Sequence, residues 1–384
     1  MEKEELEKLK EHYEVSDEKL DKIIQEIYAK MIYGKTPQDN PISIVCAGQP
    51  GAGKSGLIDK TSAELENSIV LDVDDFRYFH PDIEEILEKY PNDLATFTIT
   101  FVNRIFKKIL AKLIDKKYNL IMQKTLRDDE VIYDTLVPLR DAGYTNILRV
   151  LAVSEIESKL STLERSLAVK RTVGYCRWTP LKNQDYAING LVPTTKAVFE
   201  HETCDLVQIY KRNIIPTNSI LVYSKPKQTS LERLAESKKG NDDLFIGEYG
   251  LDNYKDETEA IVKNRNKNSL CDFNDFMTRI AIAKRVMDDE GLKYLYELEE
   301  LATDYYLKEN DLSEGTMNNN IMLELAKEIM ARKIAMACKD GFKPDDEKVT
   351  SLLAEEREMN KFNTTVIDKI INVYGKEIKD GVKN

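Results

Sequence analysis

The residues with the clearest chemical potential lie at positions 48–55, where the sequence reads G-Q-P-G-A-G-K-S. These residues fit the P-loop pattern G-x-x-x-x-G-K-[ST], in which glycines let the backbone wrap around a phosphate group and point N–H groups at it. Lys54 could reach the β- and γ-phosphates of a nucleotide, and the Ser55 hydroxyl could bind Mg²⁺. The predicted nucleotide-binding residues are Gly48, Gln49, Pro50, Gly51, Ala52, Gly53, Lys54 and Ser55.

Two acids stand at the end of a second apolar run. Residues 68–75 read S-I-V-L-D-V-D-D and predict a buried strand that runs into these acids. Because alternate residues of a strand share a face, Asp72 and Asp74 are expected to point the same way, at the edge where α/β sheets bind ligands. Their carboxylates could hold Mg²⁺ or accept a proton from a substrate hydroxyl. The alternative is a pair of solvated or helix-capping acids.

A group of basic residues follows the fourth predicted strand. Arg165 lies off the apolar stripe of a predicted helix at 155–169, and Lys170, Arg171 and Arg177 follow in a predicted loop. Arginines on such a segment could close over a transferring phosphate group, neutralise its charge and exclude water. A basic surface loop explains the same residues equally well.

The elements that must position these residues follow from the apolar pattern. Short apolar runs alternate with segments of helical periodicity, which predicts an α/β fold with a mainly parallel sheet flanked by helices. The predicted strands are 42–47, 68–75, 118–122, 146–153 and 206–210, with an edge strand at 219–223. The main predicted helices of this part are 18–31, 82–89, 92–117, 130–142, 155–169 and 181–200.

The composition argues against several classes of protein function. The net charge of -12 argues against a nucleic-acid-binding surface, which would normally be basic. No apolar run approaches the roughly 18 residues that a membrane span needs, so we expect no membrane association. The five cysteines are scattered and have no metal-ligand spacing, which is typical of a protein of the reducing cytoplasm.

Three segments are predicted within the 384 residues: N-terminal helices packing on the core at 1–40, the P-loop domain at 41–225 and an all-α C-terminal region at 226–384. The C-terminal region carries no chemical motif that we can identify. It could be a structural domain, a partner-binding module or a self-inhibitory module. Its predicted helices are 229–238, 257–262, 272–288, 292–307, 317–338, 344–359 and 364–374.

An ordered set of motifs in this chain resembles the zeta toxins, the kinase components of epsilon–zeta and PezA–PezT type toxin–antitoxin systems. The resemblance covers roughly residues 20 to 225. The family patterns are G-Q-P-G-[SA]-G-K-[ST], D-x-D-x-F, H-P, N-L-[VI]-[IV]-E-G-T-x-R, [GS]-T-[IL]-x-R and A-R-x-T-P. The matching segments here are G-Q-P-G-A-G-K-S at 48–55, L-D-V-D-D-F at 71–76, H-P at 80–81, N-L-I at 119–121 followed by Thr125 and Arg127, S-T-L-E-R at 161–165 and R-W-T-P at 177–180.

The resemblance implies a cytoplasmic kinase that uses ATP or GTP with Mg²⁺ to phosphorylate the 3′-hydroxyl of a UDP-activated amino sugar, UDP-N-acetylglucosamine. It implies that Asp74 is the catalytic base and that Arg165 and Arg177 clamp the phosphates, with Lys54 completing the catalytic set. The predicted acceptor-binding residues are Asp72, Gln123, Thr125 and Arg127. A toxin of this type would have an antitoxin as partner, or the C-terminal helices would inhibit it in cis.

One departure from the family pattern concerns the acceptor site. The family usually has Glu-Gly before its threonine, whereas this chain has Gln123 and Lys124 before Thr125. A carboxylate would accept a stronger hydrogen bond than the neutral glutamine, and Lys124 adds bulk and a cation. Weaker activity is one hypothesis, and another acceptor, such as an NAD-like dinucleotide or an antibiotic, is a second. A catalytically weak nucleotide-binding interaction module is a third.

Overall fold

The computed structural model describes residues 3–90, 93–173, 179, 181–212, 219–238 and 254–265, and the single positions 244, 280, 295 and 298. The chain divides into two compact units, Met1–Leu270 and Cys271–Asn384. Apart from those single positions, the helices predicted after residue 270 lie outside the described residues.

A six-stranded sheet forms the centre of the first unit, in the order β2-β3-β1-β4-β5-β6. Neighbouring strands are parallel except β5 and β6, which are antiparallel. The predicted α/β fold with a mainly parallel sheet is therefore confirmed. The strands are β1 (Ile42–Ala47), β2 (Ser68–Leu71), β3 (Asn119–Lys124), β4 (Thr145–Ala152), β5 (Leu206–Lys211) and β6 (Ile220–Pro226).

Helices cover both faces of the sheet, which explains why β1 and β4 are buried at every residue and read as continuous apolar runs. One core contains side chains from α2, α5, α8 and α10, and the core on the other face contains side chains from α3 and α9. No helix in the described part of the chain has the length and apolar content to cross a bilayer. The helices are α1 (Lys3–His12), α2 (Asp17–Ile32), α3 (Lys54–Glu64), α4 (Ile83–Lys89), α5 (Leu94–Asp115), α6 (Val137–Asp141), α7 (Glu155–Val173), α8 (Leu181–Glu200), α9 (Leu231–Lys238) and α10 (Glu257–Arg265).

The N-terminal helices support the segment that follows β2. Leu20, Ile24 and Ile27 of α2 are buried in the core. Tyr13, just after α1, lies edge-on to the ring of His80, and its carbonyl oxygen is 3.0 Å from His80 Nε2. Burial lowers the pKa of His80, so the ring stays neutral near pH 7. This contact holds the end of a short 3₁₀ helix, Asp75–Phe79, which directly follows the candidate catalytic acid Asp74.

Residues beyond β6 complete both faces of the sheet. Leu234 of α9 and Leu244 are buried in the core that contains α3, and Ala260 and Ile261 of α10 are buried in the opposite core. The predicted division at residue 225 stays a prediction, but the described residues up to 265 contribute to the same compact unit.

A fully buried arginine joins these layers. Arg149 of β4 donates hydrogen bonds to Thr61 of α3 at 2.8 Å, to Gln208 of β5 at 2.9 Å and to the carbonyl oxygen of Leu244 at 3.3 Å, and it pairs with Glu64 at the end of α3. Because a buried charge is costly unless it is paired and hydrogen-bonded, this arrangement needs all of those partners in place.

Candidate active site

The P-loop connects β1 to α3, as predicted. Gly51 and Gly53 have φ values of +79° and +94°, a left-handed conformation that glycine adopts without strain. Lys54 is the first residue of α3, so the positive end of this helix faces the loop. The backbone is therefore shaped to bind an anion such as a phosphate group.

The P-loop packs tightly against α7. A Cβ atom at Gly51 would lie only 2.0 Å from the carbonyl oxygen of Ser158 and 2.6 Å from Thr162 Oγ1. The buried side chain of Gln49 reinforces this contact, because its Nε2 donates to the Val153 carbonyl oxygen and to Ser158 Oγ, each at 2.9 Å. The loop and the first turns of α7 therefore form one packed unit.

Replacing Gly51 by alanine is expected to weaken nucleotide binding at least about tenfold and to destabilise the fold. The left-handed backbone alone costs a side chain about 1–2 kcal/mol, and the clash with Ser158 adds to this cost. Gly143→Ala is the matched control, because Gly143 has φ +86° but nothing within 4 Å of its Cβ position. Both variants would be measured by calorimetric titration with ATP and by unfolding in urea. The comparison separates the cost of the backbone conformation from the cost of the clash with Ser158. Equal losses in the two variants would contradict the tight contact.

Lys54 lies at the centre of the predicted catalytic residues. Its Nζ donates to the carbonyl oxygens of Gly48 at 2.8 Å and Gln49 at 3.1 Å. Burial, with the nearby positive charge of Arg165, lowers the pKa of Lys54 to about 8, whereas Asp72 and Asp74 act in the opposite direction. Asp72, Asp74 and Arg165 therefore each lie within electrostatic reach of Lys54.

The two acids are not on a strand, and this part of the prediction was wrong. Strand β2 ends at Leu71, and the chain then turns into a 3₁₀ helix at Asp75–Phe79. The Asp72 carboxylate accepts a hydrogen bond from the Asp74 backbone N–H at 3.0 Å. Such a local side-chain bond competes with strand pairing, which explains why the strand stops there.

Arg77 holds the Asp74 side chain and was not identified from the sequence. Its Nε donates to Asp74 Oδ1 at 3.0 Å. Its Nη1 donates to Thr98 Oγ1 at 2.6 Å and to the Ala95 carbonyl oxygen at 3.3 Å, both on α5. The guanidinium group is thus fixed to a helix and can orient the carboxylate. The sequence does contain one indication of this pair, because Arg77 is three positions after Asp74. Side chains three residues apart are neighbours on a helical turn.

Of the two arginines predicted to clamp the phosphates, Arg165 lies within the described part of the chain. Arg165 is exposed on α7, one turn after Ser161, and its charge is close enough to Lys54 to lower the pKa of that ammonium group. Arg177 lies outside the described residues, so its clamping role stays a prediction.

Three of the candidate acceptor residues lie at the end of β3 or just after it, and β3 lies next to β1. Gln123 pairs with Cys46 of β1 in the sheet, and the Gly48 backbone N–H donates to the Lys124 carbonyl oxygen at 3.3 Å. Gln123 and Thr125 are partly exposed at this edge. Arg127 is exposed, and its Nε donates to Asp128 Oδ2 at 3.1 Å.

Lys124 is the second residue at which this chain departs from the family pattern, and its side chain packs against α5. Its Nζ lies 4.1 Å from the centre of the Phe106 ring, a cation–π distance. Burial lowers the pKa of Lys124 to about 8, and Asp134 acts in the opposite direction. The cation that replaces the family glycine is therefore partly sheltered between β3 and α5.

A glycine of α8 sets the position of the acceptor loop. A Cβ at Gly190 would lie 2.0 Å from the carbonyl oxygen of Arg127 and 2.4 Å from its carbonyl carbon. The backbone of the loop therefore rests directly on the helix. The positions of Thr125 and Arg127 depend on this contact.

Gly190→Ala is expected to raise the KM for the acceptor at least about fivefold without changing nucleotide affinity. Alanine favours a helix interior by about 1 kcal/mol over glycine, so helix formation itself would not suffer. The new methyl group would instead push the Arg127 backbone away. Steady-state kinetics with the acceptor varied, beside ATP titration, would measure both effects. An unchanged KM for the acceptor would show that the loop does not position it.

Arg212 also contacts the P-loop and was missed from the sequence. It follows β5 directly, and its Nη1 donates to Ser161 Oγ at 2.8 Å and to the Gly51 carbonyl oxygen at 3.3 Å. The only available signal was its place just after a parallel strand, at the edge where the other site residues lie.

The comparison with known families identifies the family of this chain. A family model described as Zeta toxin matches residues 26–226, slightly more than half of the chain. The chain belongs to the zeta toxin family. The resemblance stated from the motifs is thereby confirmed, and the zeta toxin domain is a kinase-like enzyme domain that carries the P-loop, Asp74 and Arg165.

Named relatives of this zeta toxin domain agree with the family match. Toxin PezT of Streptococcus pneumoniae is 31% identical over 219 residues, which cover 56% of this chain and 82% of that protein. Toxin zeta of Enterococcus hirae is 30% identical over 208 residues, covering 53% and 72% of the two chains. A solved structure of the PezAT chromosomal toxin–antitoxin system of Streptococcus pneumoniae is similar with a TM-score of 0.48 and 25% identity, over 61% of this chain and 98% of that chain.

Proposed function

We propose that this chain transfers the γ-phosphate of ATP or GTP to the 3′-hydroxyl of a UDP-activated amino sugar, with UDP-N-acetylglucosamine as the first candidate. The observation that carries the proposal is that Asp74 and Arg165 both lie within electrostatic reach of Lys54, the lysine of the P-loop. Phosphoryl transfer requires a phosphate cradle, cations around the transferring group and a residue that orients the attacking hydroxyl. Family membership supports the choice of acceptor.

In the proposed reaction, Asp74 accepts the proton of the sugar hydroxyl. A bond forms between the hydroxyl oxygen and the γ-phosphorus, and the bond from that phosphorus to the β–γ bridging oxygen breaks, which leaves the nucleoside diphosphate. Lys54 and Arg165 neutralise the charge on the phosphates during this step. Arg77 keeps the Asp74 carboxylate in one orientation through the 3.0 Å contact.

Ser55 is the residue that would hold Mg²⁺ with the nucleotide. Its hydroxyl is exposed on the first turn of α3, next to Lys54, and oxygen ligands are those that Mg²⁺ prefers. The ion would supply charge neutralisation at the phosphates.

The side chains of Gln123 and Lys124 are also compatible with a second class of acceptor. A neutral side chain at position 123 can accept a hydrogen bond but supplies no negative charge, and the Lys124 side chain lies on Phe106. An NAD-like dinucleotide or an aminoglycoside antibiotic would present a different set of donors to this edge. The acceptor is therefore the part of the proposal that most needs a direct test.

An acceptor screen tests the proposed reaction. The full chain would be incubated with ATP, Mg²⁺ and UDP-sugars, NAD or aminoglycosides, and phosphate addition would be read by mass spectrometry. Gln123→Glu would be run in parallel, because restoring the carboxylate should speed phosphorylation of UDP-N-acetylglucosamine. Phosphorylation of another compound alone would overturn the UDP-sugar assignment. ATP turnover without transfer to any acceptor would favour a weak interaction module.

We also propose that the chain is the toxin of a toxin–antitoxin system and acts in the cytoplasm. The relatives named PezT and zeta support this role. Induced expression in bacteria should arrest growth, and co-expression of an antitoxin encoded beside it should relieve the arrest. If the chain is active in vitro but its high expression leaves growth unaffected, the toxin role is contradicted. The exception is a chain that becomes toxic when residues 271–384 are removed, because those residues would then be the inhibitor.

A further inference from the structure

Arg212 occupies a position between two parts of the site that must act together. Its Nη1 donates to Ser161 Oγ of α7 at 2.8 Å and to the Gly51 carbonyl oxygen of the P-loop at 3.3 Å. Its Nε and Cδ lie 3.6 and 3.8 Å from the position that a Cβ of Gly53 would occupy. The Arg212 side chain therefore contacts Gly51 and lies beside Gly53, the two glycines of the P-loop that have positive φ.

These contacts add to the packing of the P-loop against α7 at two residues that lack a Cβ atom. Gly51 and Gly53 have no Cβ, and each can adopt many backbone conformations when nothing holds it. A donor that binds the Gly51 carbonyl oxygen fixes the direction of that peptide. Fixing the loop before the ligand arrives lowers the entropy lost on binding.

The second contact joins the loop to the helix that carries Arg165. Ser161 is one helical turn before Arg165 on α7, so the two side chains lie on the same side of that helix. Arg212 thus links the P-loop to the helix that carries Arg165. Arg212 and Gly51 are 161 residues apart in the sequence.

We propose that Arg212 is a positioning residue for the nucleotide, which preorganises the P-loop and holds it in register with α7. The proposal rests on nucleotide binding at the P-loop, which is part of the proposed function, but not on any acceptor. Loss of the Arg212 contacts is expected to weaken ATP binding by at least about tenfold, because the nucleotide must then order the loop itself.

The test is equilibrium binding of ATP to the full chain by calorimetric titration, without acceptor. Arg212→Met should weaken ATP binding at least about tenfold at an unchanged thermal unfolding midpoint. Arg212→Lys should be intermediate, because an ammonium group cannot reproduce the planar fork of the guanidinium group. Ser161→Ala should weaken binding by a smaller factor, and Arg212→Met combined with Ser161→Ala should be no worse than Arg212→Met alone.

The matched control is Lys211→Met, which removes the same charge from the neighbouring residue. Alternation along β5 directs the Lys211 side chain to the opposite face of the sheet. Wild-type affinity in Arg212→Met and Ser161→Ala would overturn the proposal. An equal loss in Lys211→Met would also overturn it, because net charge would then explain the effect. If no acceptor were phosphorylated but these binding differences were seen, the kinase proposal would fail and the role of Arg212 would stand.

Discussion

Asp74→Asn is expected to reduce phosphate transfer by about 10²–10⁴-fold, the range that a general base contributes, while ATP binding changes little. Asparagine keeps the size of the side chain and an oxygen that can accept the hydrogen bond from Arg77 Nε. It cannot take up the proton of the attacking hydroxyl. The measurement is the rate of acceptor phosphorylation, with ATP affinity determined separately.

Asp75→Asn provides the control for this prediction. Asp75 is the next residue, is exposed at the start of the 3₁₀ helix, and loses the same charge on substitution. Its rate should stay within about threefold of the wild-type rate, since a surface charge there contributes little. Similar losses in the two variants would mean that the net charge of the turn, and not a base at position 74, controls the rate.

A chain that ends at Pro226, where the family match stops, is expected not to fold into a cooperative unit. The missing segment contributes Leu234, Leu244 and Ile261 to the cores. Burial of each stabilises the fold by about 1.5–3 kcal/mol, so their loss removes about 5–9 kcal/mol. A typical domain has only about 5–15 kcal/mol of stability in total. Denaturant unfolding followed by circular dichroism would measure the effect.

The proper comparison is a chain that ends at Leu270, the boundary of the first compact unit. That chain should unfold cooperatively, because it keeps α9, Leu244 and α10. Equal unfolding midpoints for the two truncated chains would contradict the prediction. The same comparison decides how self-inhibition should be tested, since a chain ending near residue 226 would lose toxicity through misfolding alone.

The local features of this site could be predicted from the sequence. Strands β1, β3, β4 and β5 are buried on both faces, so each appears as an apolar run, and the predicted bounds agree with the structure within about two residues. The P-loop was predictable because its chemistry depends on consecutive residues. Of its two left-handed glycines, Gly53 is required by the P-loop pattern and Gly51 by the longer family pattern.

The features that the sequence did not predict depend on contacts between distant residues or on local competition. The turn at Asp72 and Asp74 forms because a side chain takes the place of a strand partner, and the apolar pattern does not contain this information. Arg77 and Arg212 have no motif, since their roles come from Thr98 and from Gly51. The sheet order also emerges only from the folded chain, because consecutive strands such as β1 and β2 are not neighbours.

The core around Arg149 can be completed only after residues beyond the last strand have been synthesised. Residue 244 leaves the ribosome 18 residues after the end of β6 at residue 226, and its carbonyl oxygen is one of the acceptors for the buried guanidinium group. At synthesis rates of about 5–20 residues per second, this interval lasts about 1–4 s. During that time the nascent chain contains every motif of the kinase, but its core is unfinished. Translation of the extension therefore delays the appearance of the completed enzyme.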